Sequence, residues 1–163
     1  MSSYKNKLKD KFLETIPTTS IYGNNDELTK KCKFNFGYFD AHQSGQSFDT
    51  WTHPQLTKLL NKLTEYSKFP LKHWENQSIG GHGNILEIYG AFPKKSAFEH
   101  PKHVPHEAQW ARFRLESAAR FVGFVLPQSC HDREHPTTKC RFDANTFYVV
   151  FLDANHEFYQ TDK

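Results

Sequence analysis

Trp110-Ala111-Arg112-Phe113-Arg114-Leu115-Glu116-Ser117-Ala118-Ala119-Arg120-Phe121-Val122-Gly123-Phe124-Val125-Leu126-Pro127 is the stretch whose reading decides the fold. Ala111, Phe113 and Leu115 alternate with Trp110, Arg112, Arg114 and Glu116, the two-residue period of a strand with one apolar and one polar face. Ser117-Ala118-Ala119 is a short turn, and the run from Arg120 to Leu126 that follows it should pair antiparallel with the first. A third run, Thr146-Phe147-Tyr148-Val149-Val150-Phe151-Leu152-Asp153, is apolar on both faces and belongs in the interior of a sheet. The connection between the last two runs, Pro127 to Asn145, is long and carries two of the three cysteines.

Upstream, Phe34, Phe36 and Tyr38 alternate with small or polar residues and predict a strand from Lys33 to Phe39. After the loop Asp40 to Asp49, Thr52 and Gln55 form a capping-box pattern with Pro54 in the first turn. Leu56, Leu59, Leu60, Leu63 and Tyr66 then recur at helical spacing. Ser67 and Pro70 open a second helical piece through Leu71 and Trp74, which Gly80-Gly81-His82-Gly83 ends. Leu86 to Gly90 is a short extended candidate, and a loop of Pro, Lys and His runs from Pro93 to His106. Trp51 and Trp74 fall at core spacing. The expected fold is α+β, a small antiparallel sheet covered on one face by a helical hairpin. An N-terminal arm spans residues 1–31, with Leu8, Phe12 and Leu13 hinting at a short amphipathic helix, and one domain spans residues 32–163. The sheet face away from the helices is expected to carry the chemistry.

A chain of 163 residues suffices for one core, and 15% aromatic content, with fifteen Phe, supplies bulky side chains to fill it. No run approaches the ~18 apolar residues of a membrane span, and the opening residues lack the pattern of a secretory signal. Three cysteines, an odd number, give no disulfide framework, so a reducing cytoplasm is expected. A net charge of +3 with ten neutral His tolerates a phosphate-rich partner without announcing one.

Two arginines and a carboxylate on one strand face, Arg112, Arg114 and Glu116, with Arg120 across the turn, can hold a phosphate and supply an acid or base. His156 and Tyr159 follow the last strand and can approach that face, which Trp110 shares. The plainer reading is a solvated strand face with cross-strand ion pairs. A metal reading would use His100, His103, His106 and Glu107, or Cys130, His131, His135 and Cys140, but no C-x-x-C pair is present and the spacing fits no standard finger.

The order of strand, helical hairpin, basic loop and then the runs "WARFRLESAARFVGFVLP" and "NTFYVVFLDANHEFY" resembles the RelE/ParE toxin family over Lys33 to Tyr159. The resemblance implies an mRNA endonuclease that uses the RNA's own 2′-hydroxyl and needs no cofactor. It implies that Arg112 or Arg114 and Arg120 clamp the phosphate, that Glu116 or a loop histidine is the base, that His156 is the acid, and that Tyr159 orients or stacks. Lys94, Lys95, Lys102, His103 and His106 fall where the family often carries basic RNA contacts, with Trp110 beside them. Expected partners are RNA, on the ribosome or free, and a neutralising antitoxin protein, with no membrane. The N-terminal arm and the insert before the last strand depart from the compact family pattern. Some family members inhibit DNA gyrase instead, so a non-catalytic domain that binds a protein target is the alternative, ahead of a metal-dependent nuclease.

Overall fold

The computed structural model describes residues 6–17, 20–23, 27–81, 83–115 and 118–160. Its centre is an antiparallel meander of four strands, the three expected from Trp110 onward and the short extended candidate at Leu86 to Gly90. β2 (Leu86–Gly90), β3 (Gln109–Arg114), β4 (Arg120–Val125) and β5 (Thr146–Asp153) pair antiparallel in succession. β1 (Lys33–Asn35) adds to the far side of β5, and it runs parallel to it. The sheet therefore has five strands in the order β1-β5-β4-β3-β2 and is mixed, larger than the small antiparallel sheet expected. Alternation within a strand encodes its faces but not its neighbour, so the parallel pairing left no mark in the sequence.

β1 is also shorter than the run predicted for it. The Asn35 side chain accepts the Gly37 N–H at 2.8 Å and turns the chain. Tyr38 then lies edge-on against Phe124 and Tyr148.

The capping box forms as expected. The Thr52 N–H donates to Gln55 Oε1 at 2.8 Å, and α3 (His53–Tyr66) follows with Pro54 in its first turn. With α4 (Leu71–Glu75) it packs one sheet face through Leu59, Tyr66, Leu71 and Trp74 against Ala111, Phe113, Leu115, Phe121, Phe147 and Val149. The Tyr66 hydroxyl donates to the Arg114 carbonyl oxygen, which ties the end of α3 to β3.

The second sheet face is closed, contrary to expectation. Phe98, Val104, Ala108 and Phe158 bury Trp110, Val122, Phe124, Val150 and Phe151 in a second core. The loop after β2 reads as polar because of its Pro, Lys and His, yet Phe92, Phe98 and Val104 are enough to anchor it. Backbone bonds fasten it to the chain after β5, with the Ala97 N–H on Glu157 O at 3.1 Å and the Gln160 N–H on Lys95 O at 3.2 Å. Covering both faces removes apolar area from water on each side, which an aromatic-rich sheet requires.

Gly123 sits at a register irregularity between β4 and β5, where a methyl group would meet Tyr148 O at 1.9 Å. In the arm, α1 (Lys7–Glu14) holds Leu8 and Phe12 out in solvent, 82% and 65% exposed. α2 (Glu27–Lys30) is fastened by the Asn145 side-chain amide, which donates to Lys30 O at 2.9 Å. The insert before β5 folds back on itself, with Glu134 bridged to Arg141. Among the described residues no helix is long and apolar enough to cross a membrane.

Candidate functional site: an arginine-lined crevice at the sheet end

Strand alternation and register together build the site. Arg112 and Arg114 leave β3 on the face away from the helices. Arg120 opens β4 directly opposite Arg114 and is in turn opposite Asp153, the last residue of β5. On the other flank Glu87 of β2 pairs with Arg112. Three guanidinium groups thus meet at one end of the sheet, against the carboxylates of Glu87 and Asp153.

The groups are specifically tied. Arg112 Nη2 lies 2.5 Å from Glu87 Oε2, and its Nε donates to the Tyr89 hydroxyl at 2.7 Å. The remaining nitrogen of that guanidinium, Nη1, is buried without a partner among the described residues. A buried donor of this kind is costly to leave unmet. Arg120 donates to Ala119 O at 2.8 Å. Burial, with Arg112 and Arg114 nearby, pulls its pKa down to about 10, so it stays charged at neutral pH. Gly83, at φ +85°, brings the backbone close. A methyl group there would lie 3.5 Å from Glu87 Oε2 and 3.6 Å from Arg112 Nη2.

The two carboxylates differ. Asp153 is 2% exposed and spends its oxygens on the backbone N–H groups of Asn155, Glu157 and Phe158, at 3.2, 3.0 and 2.9 Å. Glu87 keeps an exposed side chain, 41% accessible, beside Arg112. The turn that Asp153 organises places His156 at φ +60°, a strained position for a residue with a Cβ. Burial, then Arg120 and Arg112, hold the His156 pKa below its usual 6.5, with Asp153 opposing them. Tyr159 lies flat on Tyr89, ring centroids 4.8 Å apart. Tyr89, Arg112, Arg120, Val122, Asp153, His156, Phe158 and Tyr159 line one tightly packed crevice, whose side chains leave no room between them for a water molecule.

Four of the expected residues, Arg112, Arg120, His156 and Tyr159, therefore share one crevice, and Arg114 lies alongside. Glu116 lies outside the described residues. Lys94 and Lys95 stand on the loop strapped to Glu157 and Gln160, next to the crevice edge. The other expected RNA contacts are elsewhere. Trp110 is 1% exposed inside the second core and offers no stacking face. The His103 ring stacks on Tyr38, toward the far end of β4 and β5, and Lys102 precedes it. His106 stacks on His100, which lies against Trp110 at the start of β3.

Glu87, Tyr89 and Asp153 belong to the site and were not expected there. A signal existed in β2, where Glu87 and Tyr89 alternate with Leu86 and Ile88 and so face the arginines. The metal alternative finds no support, since among the described residues no group of three His, Cys, Asp or Glu side chains is gathered to hold an ion. His135 Nδ1 instead accepts the Thr137 and Thr138 N–H groups, and His131 Nδ1 that of Ala144.

No protein-family model, curated protein or solved structure shows significant similarity to the chain.

Proposed function

We propose that the chain is a RelE/ParE-type endoribonuclease that cuts RNA at the arginine crevice. The observation that carries this reading is the convergence of Arg112, Arg120, His156 and Tyr159 around one point, with an accessible carboxylate, Glu87, on Arg112. The arginines draw in a phosphodiester and stabilise the charge that builds on its non-bridging oxygens. Glu87 takes the proton of the 2′-hydroxyl, because Asp153 has committed its oxygens to backbone N–H groups. The 2′-oxygen attacks phosphorus and the bond to the 5′-oxygen breaks, leaving a 2′,3′-cyclic phosphate. His156 protonates the departing 5′-oxygen. The arginines that depress its pKa in the free protein are offset by the arriving phosphate, which favours the protonated imidazolium that this step needs. Tyr159, stacked on Tyr89, sets the edge against which the nucleotide lies.

One observation favours the second reading, a non-catalytic binding domain acting on a protein target. Arg112 and Arg120 are 7% and 5% exposed, so substrate must approach through the narrow mouth at His156 and Tyr159. The two readings separate on inducible expression of wild type beside His156→Ala and Glu87→Gln, both at accessible positions, following growth and mRNA integrity. The ribonuclease reading expects mRNA cleavage by wild type and a loss of about 10²- to 10⁴-fold in each variant, the range for removing a general acid or base. Cleavage at wild-type rate in both variants would sink it. Growth arrest with intact mRNA would move the function to protein binding.

A further inference from the structure

Directly behind the crevice, on the helix side of the same sheet end, lies a groove of about 350 Å³ lined by Trp51, Lys58, Leu59, Lys62, Leu115 and Ala119. The crevice and the groove are joined residue by residue. Ala119 in the groove precedes Arg120 in the crevice, and Ala154 in the groove follows Asp153 in the crevice. We infer that this groove holds the single-stranded RNA flanking the cleaved phosphate, with one base stacked on Trp51 and the backbone along Lys58 and Lys62. The inference rests on the ribonuclease reading and adds a substrate-binding subsite to it.

The residues fit that role. Of the three tryptophans, Trp74 and Trp110 are 5% and 1% exposed, which leaves Trp51 as the indole within reach of a ligand. Its Nε1–H donates to Gln46 Oε1 at 3.0 Å, which fixes the ring plane without using its faces. A base stacks on such a ring whatever its identity. Lys58 and Lys62 are one helical turn apart on α3, so their Cβ atoms lie ~6 Å from each other and can follow successive phosphates. Lys62 shares a half-exposed ion pair with Glu65 at 2.8 Å, one helical neighbour away, and a pair of this kind is weak enough to yield to a phosphate. Leu115, Ala118, Ala119 and Ala154 keep the floor apolar and small. An acidic, leucine-rich peptide would also match two lysines above an apolar floor. Continuity with the arginine crevice and the half-buried indole, which packs on the core and lines the groove, favour RNA.

The test uses a fluorescein-labelled 2′-O-methyl RNA oligonucleotide, whose blocked nucleophile allows binding without cleavage, titrated at several NaCl concentrations. Wild type is expected to bind it, with quenching of intrinsic tryptophan fluorescence. Trp51→Leu should weaken binding about tenfold, and Trp51→Phe, which keeps a stacking face, less. The double variant Lys58→Ala/Lys62→Ala should make the salt slope shallower by about 1.4. Thermal melts check that Trp51→Leu is folded, and the lysine variant, at surface positions, keeps the test decisive if it is not. Wild-type affinity and slope in the Trp51→Leu and lysine variants would overturn the groove while leaving the ribonuclease reading standing. Loss of acidic-peptide binding with RNA binding unchanged would overturn it in favour of a protein partner. Absence of RNA binding by wild type would remove both.

Discussion

His156 shows how a single residue is shaped by its neighbours before any substrate arrives. Its pKa is lowered first by burial and then by Arg120 and Arg112, with Asp153 pulling the other way. In an NMR titration its ring proton should therefore turn below the ordinary 6.5, and Arg120→Lys, which keeps the charge, should preserve that displacement. Arg120→Gln should move the midpoint upward. An unchanged midpoint in Arg120→Gln would mean that the guanidinium does not act on the imidazole. The sign for stability follows from the same direction. Between the folded and unfolded values the unfolded chain binds more protons, so the contribution is complete above ~6.5 and is lost as pH falls through the folded value. Arg112, Arg114 and Arg120 were legible as a set because strand alternation puts them on one face. Glu87 and Tyr89 obey the same alternation in β2, but their nearness to Arg112 depends on which strand neighbours which. Trp110 was misassigned because alternation gives a face and not its cover.

At the scale of elements, Gly123 is the position where β4 cannot accept a side chain. A methyl group would collide with the Tyr148 carbonyl, a backbone atom that moves only if β5 moves. Gly123→Ala should destabilise the protein by more than about 3 kcal/mol, or prevent soluble expression, as close backbone approach in a strand requires. Chemical denaturation of the purified variant measures this, and a loss below ~1 kcal/mol would show that the two strands separate easily. α3 was legible nearly to the residue, since Thr52, Pro54 and Gln55 mark its start chemically. β1 was overestimated because Phe36 and Tyr38 keep the alternation going past the turn that Asn35 makes. Their rings pack as a strand's would, while the backbone has already left the ladder. Arg114 directly opposite Arg120 is a like-charge cross-strand pair of the kind that weakens a sheet. It gathers positive charge at the end of the sheet where, among the described residues, the buried Arg112 Nη1 also has no hydrogen-bond partner.

For the whole molecule, the division into arm and domain can be tested by shortening. Each residue of α1 is exposed, whereas α2 is held by Asn145. Removing residues 1–22 should leave the thermal midpoint within about 2 °C, and removing residues 1–31 should lower it, because the Asn145 amide then loses its carbonyl partners. A calorimetric scan of the two truncations decides this. Equal midpoints would leave the domain boundary at residue 31, and a lower midpoint for the longer truncation would move it to before α2. The general architecture was legible because periodicity marks faces and caps mark ends. The closure of the second face was not, since Phe98, Val104 and Phe158 are scattered among prolines, lysines and histidines with no period to read.

The parallel pairing of β1 with β5 has a kinetic side. Lys33 must find Thr146, and β5, the strand it must find, also carries Val149 into one core and Val150 into the other. A chain cannot close that long loop early, because its entropic cost falls due before either core repays it. Folding should therefore be slow and limited by the capture of β5, while β3 and β4 are joined by a short connection and hold together early. Asp153 and His156, which complete the arginine crevice, enter only with that capture. The crevice should consequently be completed in the last folding step, and partly folded chains should carry the arginines without Asp153 and His156 beside them.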